Sequence, residues 1–214
     1  MLFSDIKNNN KIYLYCGDMY IKMLEYTHIP FIGLSLTQSN HNHIKHDITN
    51  KFDLLDNSVD IIQSEDVMEH IEYNQLSNII NEIYRVLKVG GLFRLSLPDY
   101  RCDILYNRSL KNESGDIYFD SGGGGDYDYI NKKVIHGGHL WFPKYEEVKK
   151  LLDNSNFNKD NNTIKFLHYY DNDNEGHINT IDYSLGYVHR TPDFDKRVQM
   201  PNRPMSLVID CWKK

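Results

Sequence analysis

Residues 58–99 read SVDIIQSEDVMEHIEYNQLSNIINEIYRVLKVGGLFRLSLPD, and this stretch decides the fold class. A short apolar run at 59–63 ends in the polar cluster Ser64, Glu65 and Asp66. Over residues 74–88, Leu76, Ile79, Ile80, Ile83 and Leu87 recur at helical spacing, which gives one buried stripe. Gly90 is placed to stop that helix, and a second apolar run at 92–97 closes in Pro98-Asp99. Strand, crossover helix and parallel strand form the unit of an α/β fold. Ligands of such folds sit beyond the carboxyl ends of the strands.

Working outward, residues 12–15 read as a first strand breaking at Cys16-Gly17-Asp18, and 20–26 as a short helix. Strands follow at 31–36 and 43–48, the latter carrying Asp47 at its end. Beyond Asp99 the pattern changes. Residues 100–140 hold a four-glycine run, Gly122 to Gly125, flanked by aspartates and tyrosines, and then HGGHLWF. A loop of that length inside a compact domain is functional or disordered. A helix opens at Pro143 and runs to 152, and strands are expected at 164–170 and 206–212. A second polar insertion, 171–204, lies between them.

At 214 residues the chain is most simply one domain, large enough for a proper core. No stretch approaches the roughly 18 apolar residues of a membrane span, and the first residues lack the apolar run of a secretory signal. Cys16, Cys102 and Cys211 are scattered and odd in number, which favours a reducing, cytoplasmic setting over a disulfide frame or zinc cluster. The net charge of −6 disfavours a sequence-independent grip on nucleic acid. The histidines of NHNHIKH (40–46) lack nearby cysteines, and no metal is assigned to them.

About forty of these residues resemble the middle of the class I S-adenosylmethionine (SAM)-dependent methyltransferases of the type 11 group. The resemblance rests on DNSVD at 56–60, VMEHI at 67–71, EIYRVLKVGG at 82–91 and LPD at 97–99. It implies a Rossmann-like, doubly wound sheet of about seven mostly parallel strands, the last antiparallel, with helices on both faces. It also implies one SAM-binding domain over 1–214, with acceptor-binding insertions around 100–140 and 171–204. The family's glycine loop falls on Tyr15, Cys16, Gly17 and Asp18, where only the central glycine is kept. The ribose-binding acid falls on Ser35, whose hydroxyl can donate or accept a hydrogen bond but brings no bidentate carboxylate. The adenine-side aspartate falls on Asp47, followed by Ile48, while Ser64 and Glu65 would face the methionine end. Asp18 is a charge partner for the ammonium.

Methyl transfer from a sulfonium is an in-line displacement, so the enzyme mainly positions the nucleophile. An alcohol nucleophile must also lose its proton, and His is the commonest acceptor of it. His139 is the expected base and His136 the second choice, with Glu65 or Asp99 as orienting carboxylates. The insertion's Tyr100, Tyr106, Tyr118, Asp120, Tyr127, Asp128, Tyr129 and Trp141 suit sugar rings, which present both C–H faces and hydroxyls. The segments LPDYRCDILYNRS and GYVHRTPDFDKRVQMPNRPMSLVIDCWKK are similar to a subgroup found with glycosyltransferases. That subgroup includes the methyltransferase domain of a chlorovirus glycan-synthesis protein. The expected reaction is O-methylation of a carbohydrate such as a rhamnose unit, with glycosyltransferase domains in the same pathway or polypeptide. The alternatives are a non-sugar small-molecule acceptor, or a degenerate scaffold without catalysis.

Overall fold

The computed structural model describes residues 1–19, 23–159 and 164–214. In chain order its strands and helices are β1 (Tyr13–Cys16), α1 (Met23–Tyr26), β2 (Ile32–Ser35), β3 (His43–Lys45), β4 (Val59–Glu65), α2 (Tyr73–Val86) and β5 (Leu87–Pro98). The first insertion contributes α3 (Asp103–Arg108) and two hairpins, β6 (Leu110–Lys111) with β7 (Ile117–Phe119) and β8 (Asp126–Asp128) with β9 (Lys133–Ile135). After them come α4 (Tyr145–Asp153), β10 (Ile164–Tyr170), β11 (Gly176–Ile178) and β12 (Ser206–Trp212). The helix expected at 20–26 falls partly on residues 20–22, outside the described residues.

The main sheet has eight strands in the order β11-β10-β12-β5-β4-β1-β2-β3. Strands β1 to β5 pair in parallel, and β12 runs antiparallel to both β5 and β10. The strand beyond the expected seven is β11, drawn from the second insertion, where His168 pairs with Ile178. Strand order reverses between β4 and β1, so the crevice of a doubly wound sheet opens at their carboxyl ends.

Alternation along the strands sorts the core into two layers. Leu14, Cys16, Ile62, Phe93 and Ile209 face α2 and α4, packing with Leu76, Ile80, Ile83, Val148 and Leu152. Tyr15, Ile61 and Leu92 face the other way, with Phe31 and Tyr187. On this second face α1 is joined by irregular chain. Among the described residues it is covered by irregular chain around 181–195, and Tyr26 at the end of α1 stacks on Tyr187 at 4.9 Å. A buried ion pair clamps that cover: Arg94 donates to both oxygens of Asp210 at 2.7 and 2.8 Å, and also to the Asp182 and Gly186 carbonyls.

Helix α2 stops at Val86, two residues before its expected end. Leu87 has already turned to extended backbone (φ −63°, ψ 139°) and pairs with Val59. Gly90, at φ +81°, makes the bend beyond it. The first insertion is not a structureless loop, because α3 and the two hairpins satisfy much of its backbone locally. Among the described residues, no helix is long and apolar enough to cross a membrane.

Candidate functional site

A cavity of about 510 Å³ lies where strand order reverses, walled by Gly17, Asp18, Ser35, Asp47, Ile48, Val67 and His70 among others. Gly17 closes β1 at φ +97°, with its N–H bonded to the Leu34 carbonyl at 2.9 Å. A Cβ there would stand 2.9 Å from Val67 Cγ2, so only glycine leaves this turn unstrained. Ser35 Oγ accepts the N–H groups of Thr37 and Gln38 at 3.1 and 2.9 Å, turning the chain at the end of β2. Asp47 Oδ1 does the same for the N–H and hydroxyl of Thr49. Thus Gly17, Asp18, Ser35, Asp47 and Ile48 meet at one rim.

Other expected site residues stand elsewhere. Tyr15 packs on the opposite sheet face with Phe31, and the Cys16 thiol is sealed in the main core, where burial pushes its pKa up to about 12. Ser64 is buried inside the sheet, because β4 runs on to Glu65 and pairs Ser64 with Cys16 and Leu95. Glu65, one residue on, points to the other face and accepts the His189 N–H at 2.7 Å. Burial and the neighbouring Asp66 charge raise its pKa to about 8. Asp99 is a buried turn carboxylate that accepts the N–H groups of Arg101 and Tyr170, both at 3.0 Å. Burial outweighs those bonds and raises its pKa to about 6. His136 is an exposed hairpin residue paired with Asp126 at 2.9 Å. None of these six walls the cavity.

His139 is brought beside the cavity by an interlock between two short segments. The Leu140 N–H donates to the Glu69 carbonyl at 2.8 Å, and the Trp141 indole N–H to the Met68 carbonyl at 2.9 Å. His70 Nδ1 meets the Gly137 carbonyl at 2.8 Å and must donate to it, because a carbonyl can only accept. The glycine run makes the seat for this arrangement. A Cβ on Gly123 would fall 2.6 Å from the His139 ring, and one on Gly122 would fall 2.6 Å from the Arg108 guanidinium.

A polar chain then runs inward. Arg108 pairs with Asp120 at 2.7 Å, Asp120 bonds the Tyr100 hydroxyl at 2.6 Å, and that hydroxyl meets His139 Nδ1 at 2.5 Å. Burial pushes the Asp120 pKa up, but the bonds from Arg108 and Tyr100 outweigh it and hold the carboxyl below its usual range. An ionised Asp120 takes the single Tyr100 proton, so His139 Nδ1 must carry its own and donate to the Tyr100 oxygen. The lone pair of His139 is therefore on Nε2, which faces Glu69 Oε1 at 3.6 Å. Burial, then the adjacent His70, lowers the His139 pKa to about 3, so the ring is neutral. Burial and the Asp66 charge raise Glu69 well above the ordinary carboxyl range. His139 is only 3% exposed and is not on the cavity wall, whereas His70 is. This differs from an open catalytic base at His139.

Glu69 and His70 are not among the site residues expected from the sequence. The pair of side chains in VMEHI was the available signal. His46, also on the cavity wall, is held edge-on by Phe3 and Phe52 at 5.0 and 5.2 Å. A second hollow of about 260 Å³ adjoins the first, lined by Tyr118, Tyr127, Lys132, Lys133 and Val134. The two hollows share Glu72 and Leu140 as wall.

Residues 9–95 match the family described as a methyltransferase domain. No curated protein sequence matches the chain. Among solved structures, the chain is similar to a SAM-dependent methyltransferase from Methanosarcina mazei (12% identity, TM-score 0.48, covering 99% of this chain and 96% of that one). It is also similar to one from Archaeoglobus fulgidus (12%, 0.49, 99% and 90%). A third is a Haemonchus contortus phosphoethanolamine N-methyltransferase solved with S-adenosylhomocysteine (11%, 0.48, 98% and 51%).

Proposed function

We propose that this SAM-dependent methyltransferase transfers its methyl group to a hydroxyl of a carbohydrate, a glycan terminus or a deoxysugar such as rhamnose. SAM is the methyl donor and supplies, when bound, an electrophilic methyl carbon on a sulfonium. The residues of the larger cavity fit it. Gly17 leaves bare backbone where a side chain would collide with Val67, so a ligand can approach closely. In this reading Asp18 balances the ammonium, the Ser35 hydroxyl meets the ribose, and Asp47 with Ile48 borders the adenine.

The sugar reading is carried by the second hollow. Tyr118 and Tyr127, with ring centroids 4.8 Å apart, present aromatic faces beside Glu72, Lys132 and Lys133. Rings with C–H faces and hydroxyls suit such a wall. Because Leu140 and Glu72 belong to both hollows, an acceptor held there lies next to the donor. Its hydroxyl would meet His70, the member of the His70, His139 and Glu69 cluster that reaches the cavity wall, where the proton can be lost. Such a reaction follows sugar attachment, so glycosyltransferase domains would act before it in the same pathway or polypeptide.

The two lysines favour a second reading, a non-sugar acceptor with a negative charge. Incubation with methyl-labelled SAM and a panel of rhamnosides, phenols and amines separates the two. Label on a rhamnoside hydroxyl is expected. Label on a phenol or amine alone would remove the carbohydrate.

A further inference from the structure

We infer that Glu69, His70 and His139 form a binding site for a divalent transition-metal ion such as Mn²⁺, Co²⁺ or Zn²⁺. One carboxylate oxygen and one ring nitrogen from each histidine lie within 4.8 Å of one another. His139 Nε2 and Glu69 Oε1 are 3.6 Å apart. Two donors bound about 2.1 Å from one tetrahedral ion stand roughly 3.4 Å apart, so little movement closes this pair on a common centre. Two imidazoles and a carboxylate suit borderline divalent ions better than Ca²⁺ or Mg²⁺.

Glu69 supplies the observation that points to a ligand. Its side chain is 0% exposed, and both carboxylate oxygens are buried without a hydrogen-bond partner. A buried carboxylate with neither oxygen satisfied is costly, and a cation would satisfy both. The imidazoles are already braced as metal ligands are. Metal-bound histidines donate the other ring N–H to a carbonyl, carboxylate or similar acceptor, which fixes ring and tautomer. His70 donates Nδ1–H to Gly137, and His139 donates Nδ1–H to Tyr100, itself bonded to Asp120. In each ring Nε2 is left as the lone pair.

The other such group, Asp171, Glu175 and His177, lacks this character. It is partly exposed, and Asp171 already accepts the N–H groups of Asp173 and Glu175 and a bond with His177. At Glu69, three protein ligands leave a coordination position for water or a substrate oxygen, the pattern of catalytic ions. A sugar hydroxyl bound there would lose its proton more readily. That role rests on the proposed methyl transfer to a hydroxyl, but ion binding itself does not.

The test is a Co²⁺ titration of chelator-stripped protein, followed by visible absorption, with S-adenosylhomocysteine calorimetry on the same samples. One equivalent of Co²⁺ should bind with ligand-field bands and raise the melting temperature. Glu69→Gln and His70→Ala should each weaken Co²⁺ binding by ~10-fold or more, and Glu69→Gln, which leaves the cavity wall untouched, should still bind S-adenosylhomocysteine. His70 lies on the cavity wall, so its variant keeps the test decisive if Glu69→Gln fails to fold. No stoichiometric uptake by the parent protein, or equal uptake by a folded Glu69→Gln or His70→Ala variant, overturns the site. Absent heat with S-adenosylhomocysteine would count against the donor pocket alone.

Discussion

The Tyr100 hydroxyl and His139 Nδ1 sit 2.5 Å apart, and this contact joins the Arg108–Asp120 ion pair to an imidazole beside the cavity at the sheet's carboxyl edge. Removing the hydroxyl by Tyr100→Phe leaves Asp120 still held by Arg108 but releases the ring's orientation and tautomer. Turnover should fall by ~10-fold or more with S-adenosylhomocysteine affinity unchanged. Steady-state rates and calorimetry read the two quantities separately. An equal loss of affinity would mean that Tyr100 shapes the donor cavity instead.

Gly17→Ala tests the proposed donor role of the larger cavity. The added methyl meets Val67 Cγ2 at 2.9 Å, on backbone at φ +97°. Strain of ~1–3 kcal/mol is expected there. Affinity for S-adenosylhomocysteine should drop by ~10-fold or more as the turn shifts. Wild-type affinity in this variant would place the donor elsewhere.

The stability contributed by Asp99 and Glu65 should decline as pH rises from about 4 to 8. Asp99 and Glu65 both hold their protons more tightly folded than unfolded, at about 6 and about 8. Each therefore contributes stability below its unfolded pKa and loses it as pH rises through the folded value. For Asp99, moving from 3.8 to about 6 corresponds to about 3 kcal/mol at 1.4 kcal/mol per tenfold change. Above pH 6.5, where the buried His139 is neutral folded and unfolded, melting temperatures should fall toward pH 8, with a shallower slope for Glu65→Gln. Identical slopes for variant and parent would remove Glu65 from this account.

Arg94→Met should destabilise the protein by about 3–5 kcal/mol, because it leaves the Asp210 carboxylate buried without its partner. It also frees the Asp182 and Gly186 carbonyls, loosening the cover over the second sheet face. Urea unfolding measures the loss. A change under 1 kcal/mol would show that the cover holds without the clamp.

The strand–helix–strand centre was legible because its periods are unambiguous. Leu76, Ile79, Ile80 and Ile83 repeat as a helix does, and all four are buried. The rim residues Gly17, Ser35 and Asp47 were legible because each ends or follows a strand on the same edge of the sheet. Glu65 was misread for a local reason, since a period of two sends it to the face opposite Ser64. Asp99, expected as an orienting carboxylate, is a buried turn acid because its partner Tyr170 lies 71 residues away in sequence. The chain from Arg108 to Glu69 is illegible in sequence for the same reason. Hairpins and a glycine seat assemble it, and neither leaves a periodic trace.

Leu140 forms part of both hollows, and its amide is tied to the Glu69 carbonyl. Whatever presses on this leucine from one side alters the space offered on the other. If ligands fill both chambers, any factor by which the first tightens the second is returned in equal measure. Loading order and product escape would be governed at this one shared partition.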